Sequence, residues 1–271
     1  SGSGSSNPYF LTNVNGTLFF RANNGTSGYE LWAMSPGTTP AVVEETTISL
    51  SGNDLLIEDT NGADTDDTLT ISQTATDLII SDPNNLLFTV IAGATGNNSH
   101  TVTVPLSAFT GDIIVDALGG NDTVVLDSSV TLSATLNGGD GNDSLTGGSG
   151  HDVLNGGPGN DILIGGPGND AYVFGATEVG GDADVVTELA NQGEDTLDFS
   201  AVADGLLVRL WSNSVQNVHT DRTLQLTSGF EVENVTGGSG NDTLIGSNKT
   251  NVLMGNGGND NLIGHGGNDT M

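Results

Sequence analysis

"GGDGNDSLTGGSGHDVLNGGPGNDILIGGPGNDAYV", residues 138–173, is four nine-residue units laid end to end. Each unit opens on glycine, carries Asp sixth and usually an aliphatic residue eighth. The beat returns over residues 237–271. The sixth positions are Asp143, Asp152, Asp161 and Asp170, then Asp242, Asn251, Asp260 and Asp269. The eighth are Leu145, Leu154, Leu163 and Tyr172, then Leu244, Leu253, Leu262 and Met271. Positions one to six favour a turn, because glycine reaches positive φ without steric cost. Positions seven to nine make a short strand whose middle side chain points inward. Two units close one flattened coil, and coils stack at roughly 4.8 Å, the ordinary strand spacing. Asp143 and Asp161 then share one edge, and Asp152 and Asp170 the other. In the second block Asp242 faces Asp260, and Asn251 faces Asp269.

Carboxylates stacked so closely repel each other, and a hard divalent cation between them removes the repulsion. Ca²⁺ suits such a place, since it accepts six to eight oxygens, backbone carbonyls included, at roughly 2.3–2.6 Å. The chain has no cysteine and only four histidines, irregularly placed, which argues against zinc. A flexible Gly-Asn-Asp linker would neither keep a nine-residue phase nor return an apolar residue to every eighth position.

The pattern resembles the RTX nonapeptide, GGxGxDxUx, which builds a calcium-binding parallel β-roll. All four units of the first block fit it. In the second block "GSNKTNVLM" lacks the second glycine and the Asp, and in the first His151 replaces the usual Asn at position five. The resemblance implies a bacterial surface or secreted protein that leaves the cell unfolded and folds outside, with several Ca²⁺ as cofactors.

Composition agrees. There are 34 acidic residues against 4 basic ones, a formal charge of −30. Nucleic acid and anionic membrane call for basic surface and are excluded as partners. A cation is the natural partner, and its binding should favour compaction. No apolar run is long enough to span a bilayer.

The rest of the chain reads as β throughout, with almost no helical periodicity. The fold class is all-β: two blocks of parallel β-roll or β-solenoid, preceded by a β-rich domain and an N-terminal β-hairpin arm. Residues 1–40 form the aromatic arm, two strands with a turn near Asn23–Gly28. Residues 41–136 are the β-rich domain that leads into the solenoid through "ALGGNDTVV". The first block occupies 137–173, a degenerate β segment 174–236, and the second block 237–271. "YELWAMSPGT" resembles the ELWxSDGT-type repeat of large bacterial surface proteins, in one copy and with a shifted end. Six of the thirteen aromatic residues fall within the first 32, which suits either a cap on the chain's own β-domain or an arm that docks on another subunit.

Beyond the blocks, Asp116 and Asp122 flank a GG turn and are further cation candidates. The loop "EDTNGADTDDT", with Asp59, Asp64, Asp66 and Asp67, fails EF-hand spacing and reads as a solvated turn. Asp184 and Asp195 are plausible ligands that the register does not support. Sequons at Asn15, Asn24, Asn97 and Asn248 are candidate glycan acceptors, whereas those at Asn142 and Asn241 arise from the repeat. Nucleophile-elbow and zinc-protease motifs are missing, so no enzyme is expected. The chain therefore reads as an extracellular calcium-binding structural or adhesive protein. The final unit stops one residue short of nine, which suggests either truncation of a longer protein or head-to-tail self-association into a filament, the arm of one copy covering the last coils of the next. The alternatives are the calcium-dependent secretion and folding module of a larger lipase, protease or epimerase, and a carbohydrate-binding surface module.

Overall fold

Leu145, Leu154, Leu163 and Tyr172 are buried, each at the centre of a three-residue strand: Ser144–Thr146, Val153–Asn155, Ile162–Ile164 and Ala171–Val173. Alternate strands pair in parallel, Leu145 beside Leu163 and Leu154 beside Tyr172. In the computed structural model one coil is thus two units, and the two strands of a coil belong to opposite sheets. The structure describes all residues except 1–8, 15–16, 24–28, 35–40, 44, 61–65, 176–180, 189–191 and 228–230, with side chains from residue 46 onward. Among the described residues the single helical element is a 3-10 turn, Leu106–Ala108.

The coil extends well beyond the blocks. On the ten-stranded sheet, Ile57, Val115, Leu136, Leu154, Tyr172, Leu197, Val235 and Leu253 stand in one inward column. On the nine-stranded sheet, Leu69, Val124, Leu145, Leu163, Val186 and Leu226 form the facing column. All fourteen side chains are buried, each worth about 1.5–3 kcal/mol against exposure. One hydrophobic cluster runs from Ile48 to Leu253. Parallel pairing crosses from Ile113–Asp116 to Ala134–Asn137 and on to Val153–Asn155 without a break. The 41–136 segment is itself largely coil. Antiparallel strands, including Glu45–Ser51 against Asp54–Asp59 and Asp77–Ser81 against Thr68–Gln73, close its N-terminal end.

Residues 174–236 keep the same sheets with longer turns. A hairpin, Gln216–His219 with Arg222–Leu226, ends the nine-stranded face. A three-stranded sheet, Leu207–Arg209, Thr243–Ile245 and Asn261–Ile263, takes up the stacking after it. The Gln216 side chain bridges the gap: its Oε1 accepts the Arg209 N–H at 2.9 Å, and its Nε2 donates to the Arg209 carbonyl at 3.1 Å.

The N-terminal region contains more strand than the two read from sequence. Tyr9–Val14, Thr17–Asn23, Tyr29–Met34 and Ala41–Val43 form a four-stranded antiparallel sheet. The turn expected near Asn23–Gly28 falls on residues 24–28, which lie outside the described residues, as do Asn15 and Asn24.

Candidate metal centre

The sixth position of each unit ends a turn and immediately precedes a strand, so parallel stacking at fixed register brings sixth-position side chains together on an edge. Along one edge the Asp67 N–H donates to Asp122 Oδ1 (2.7 Å), Asp122 N–H to Asp143 (2.8 Å), Asp143 N–H to Asp161 (2.8 Å) and Asp161 N–H to Asp184 (3.2 Å). Along the other edge the Asp152 N–H donates to Asp170 Oδ1 (2.8 Å), Asp170 N–H to Asp195 (2.9 Å) and Asp195 N–H to Glu233 Oε2 (3.1 Å). The second block repeats the step from Asp242 to Asp260 and from Asn251 to Asp269, both at 3.0 Å. Each carboxylate thus uses one oxygen on the backbone of the coil before it.

Position five runs the opposite way and at the surface. The Asn160 N–H donates to Asn142 Oδ1 (2.9 Å), and Asn142 N–H to Asn121 Oδ1 (3.0 Å). His151 keeps this role in place of Asn, its Nδ1 accepting the Asn169 N–H at 2.8 Å. Asn142 and Asn241 both serve as acceptors here.

The second carboxylate oxygens carry the test for a cation. Oδ2 of Asp122, Asp143 and Asp170 is buried and accepts no hydrogen bond. A buried carboxylate oxygen left so is costly unless a cation or proton meets it. The first-position glycines make room beside it. A Cβ added at Gly138 would collide with both Asp143 Oδ2 and the Gly156 carbonyl oxygen. One at Gly147 would collide with Asp152 Oδ2 and the Gly165 carbonyl, and one at Gly237 with Asp242 Oδ2, the Gly255 carbonyl lying 3.2 Å away. These two Oδ2 atoms also accept the Gly148 and Gly238 N–H, at 2.8 and 2.9 Å. Carboxylate and peptide oxygens converging on a side-chain-free cradle are a hard-cation donor set. The residues present fit calcium.

Burial makes these groups harder to ionise. Burial pushes Asp122 and Asp143 up to about 6, against the lowering effect of their backbone N–H bonds. Burial likewise pushes Asp170 to about 7 and Asp184 and Asp195 to about 6, and it raises Asp152. Carboxylate neighbours add to the rise at Asp122, Asp143, Asp170, Asp184 and Asp195.

Where the ladders enter residues 174–236, the protein supplies its own cations. Arg222 lies 3.3 Å from Asp182 Oδ2 and 3.6 Å from Asp184 Oδ2, with all three side chains at least nine-tenths buried. Its guanidinium also stands 5.3 Å over the Phe174 ring, which stacks on Phe199. On the other edge Lys249 Nζ binds Glu231 and Glu233, each at 2.8 Å. Beside it Asn251, the one sixth position without a carboxylate, donates from Nδ2 to the Glu233 carbonyl at 2.7 Å.

The structure brings Asp122, Asp143 and Asp161 onto one edge and Asp152 and Asp170 onto the other. Asp260 and Asp269 sit on matching edges near the far end and are only half-buried. Asp116 stands apart from Asp122. It is the last residue of Ile113–Asp116, a ninth position, and its side chain accepts from the Asn137 amide. Asp184 and Asp195, plausible from sequence but without register, join the ladders, and sequence reading missed Asp67 and Glu233 as members. The solvated-turn reading fails at Asp59 and Asp67, both buried; Asp66 is exposed and accepts from the Asn121 N–H, and Asp64 lies outside the described residues.

A four-copy family model described as the RTX calcium-binding nonapeptide repeat matches residues 135–172 and 236–271. No curated protein matches the chain. Repeats of this family bind Ca²⁺ at multiple sites. The two nonapeptide blocks are RTX calcium-binding repeats.

Proposed function

We propose that this chain is an extracellular structural or adhesive protein, without catalytic activity, whose coils close when calcium enters the carboxylate ladders. The observation that carries the reading is the row of buried Oδ2 atoms on Asp122, Asp143 and Asp170. They are components of the stack, repeated along its length, so their natural role is to hold coil on coil. Asp143, Asp152, Asp161, Asp170, Asp242, Asp260 and Asp269 are the ligands assigned, with Asp122 and Asp195 as extensions; at Asp184 the Arg222 guanidinium takes the place of the ion. Asn251 contributes at most its amide oxygen, and Asp116 is left out. When bound, calcium supplies positive charge between neighbouring carboxylates. Sites of the roughly 10⁻⁴–10⁻³ M class would fill outside cells and stay empty inside them, so binding energy becomes folding energy at the place of use. Secretion fits this logic, and among the described residues no helix is long and apolar enough to cross a membrane. Far-UV circular dichroism of the calcium-free protein should show a partial loss of strand signal, from the nonapeptide coils, that returns on adding calcium. A full β spectrum in excess chelator, unmoved by calcium, defeats the reading.

Self-association belongs to the same proposal. Val252, Met254 and Ile263 on the late coils are exposed, and the N-terminal sheet of a second copy is the occupant assigned to them. Deleting residues 1–35 should abolish fibres seen by negative stain in calcium; fibres that persist rule the arm out. Exposed Asn97 and Asn248 are the glycan acceptors in this picture.

A further inference from the structure

We propose that Asp170, Glu188 and Asp195 form a cation site of a different kind from the nonapeptide sites, built at the seam where the first block meets the connecting segment. Their carboxylate oxygens lie within 4.8 Å of one another, and all three residues are buried. Asp170 is 2 % exposed, and its Oδ2 has no hydrogen-bond partner. That oxygen and the Tyr172 hydroxyl, which binds Glu188, both stand where a Cβ on Gly165 would sit, while Asp170 Oδ1 accepts the Asp152 N–H. Three carboxylates converge here, whereas a ladder step between successive sixth positions offers two.

Glu188 comes from outside any nonapeptide, directly after the strand Asp182–Thr187. Tyr172 positions it. This tyrosine occupies an eighth position, where the other three units of its block carry Leu, and its ring fills the inward column. Its hydroxyl donates to Glu188 Oε1 and accepts the Gly165 N–H at 2.7 Å. Burial, with Glu188 next to it, pushes the phenol far above its ordinary range, so it remains a donor. The basic side chains of the region are engaged by other carboxylates: Arg222 by Asp182 and Asp184, Lys249 by Glu231 and Glu233.

The ligand chemistry is all-oxygen and carries three negative charges, which selects a hard divalent cation of the calcium class. Affinity in such sites rises with the number of charged ligands. This site should therefore fill before the ladders, fastening the first block to residues 182–198 at calcium concentrations where the nonapeptide turns are still open. The inference is independent of where the protein works or what it adheres to.

The test counts ions on the whole chain. Native mass spectrometry of Glu188→Gln at saturating calcium should show one ion fewer than the unaltered protein, with Asp116→Asn as an unchanged reference. In a terbium titration, Tyr172-sensitised emission, defined as the part lost in Tyr172→Phe, should appear first in the unaltered protein and vanish in Glu188→Gln. An unchanged ion count in Glu188→Gln overturns the proposal, even while the remaining calcium sites titrate normally. Should that variant not fold, Glu188→Asp keeps the charge and shortens the reach by one methylene. Its Tyr172-dependent emission should need about tenfold more terbium, and an unshifted titration overturns the proposal equally.

Discussion

The nonapeptide blocks and the segment between them stack acidic side chains along the same edges but neutralise them differently. Inside the first block Asp143 and Asp170 each leave a buried oxygen without a partner. In residues 174–236 and just beyond, Arg222 meets Asp182 and Asp184, and Lys249 meets Glu231 and Glu233. The chain has only four basic residues, and these two stand where the ladders leave the repeat. A solenoid edge lined with carboxylates needs positive charge at each step. The blocks take it from solution, which makes their closure conditional, whereas at Asp182 and Asp184, and at Glu231 and Glu233, the protein carries it covalently, which makes closure at those steps independent of calcium.

The sharpest way to break that comparison is Arg222→Met. It leaves two carboxylates buried without their cation, a loss of about 3–5 kcal/mol for a broken buried pair. The loss should be the same with and without calcium when unfolding is followed in denaturant. Calcium restoring the original stability would show that this edge takes a dissolved ion after all, and the distinction between the two regions would fall.

The next effect is on pH. Asp122, Asp143, Asp184 and Asp195 are raised from 3.8 to about 6 and Asp170 to about 7 by burial. Between these values the calcium-free folded state keeps protons that the unfolded chain has released. Its stability is therefore greatest near pH 4 and falls as pH rises to about 7. Calcium reverses the slope, because it replaces those protons and binds better as they leave. Denaturant midpoints at pH 4.5 and 7.5 should rank in opposite order for calcium-free and calcium-saturated protein. Midpoints ordered alike in both would mean that the ladder carboxylates are not where calcium acts.

How much of this was legible depends on spacing. The inward column at Leu145, Leu154 and Leu163 and the pairing of Asp143 with Asp161 follow from a nine-residue period, because two units close one coil. Asp67 was not legible. Its ladder neighbour Asp122 is 55 residues away, across inserted antiparallel strands, and no local pattern encodes that contact. Asp184 and Asp195 lie 23 and 25 residues from their neighbours instead of 18, so lengthened turns hid an unchanged register. Asp116 misled for the opposite reason: proximity in sequence to a GG turn does not fix the edge, and a ninth-position side chain lies at the far end of its strand. Arg222 and Lys249 did leave a signal. On a chain of charge −30 a basic residue is scarce enough that its neighbours are worth predicting, and "GSNKTNVLM" loses a carboxylate in the very unit that gains a lysine.

That unit allows the finest test, Asn251→Asp. The Asn251 amide links two coils by donating to the Glu233 carbonyl at 2.7 Å, and its Oδ1 accepts the Ser247 N–H. Aspartate keeps the acceptor and loses the donor, so two oxygens face each other where an N–H stood between them. The calcium-free protein should lose about 1 kcal/mol, the ordinary worth of such a bond. The new carboxylate completes the sixth-position series of the second block and stands next to Asp269, whose Oδ1 accepts the 251 N–H at 3.0 Å. Saturating calcium should therefore recover the loss, and isothermal titration should show the second block taking up ions more tightly than before. A loss that calcium does not repair would mean that Lys249, with Glu231 and Glu233 on its ammonium, already holds this step closed against a dissolved cation.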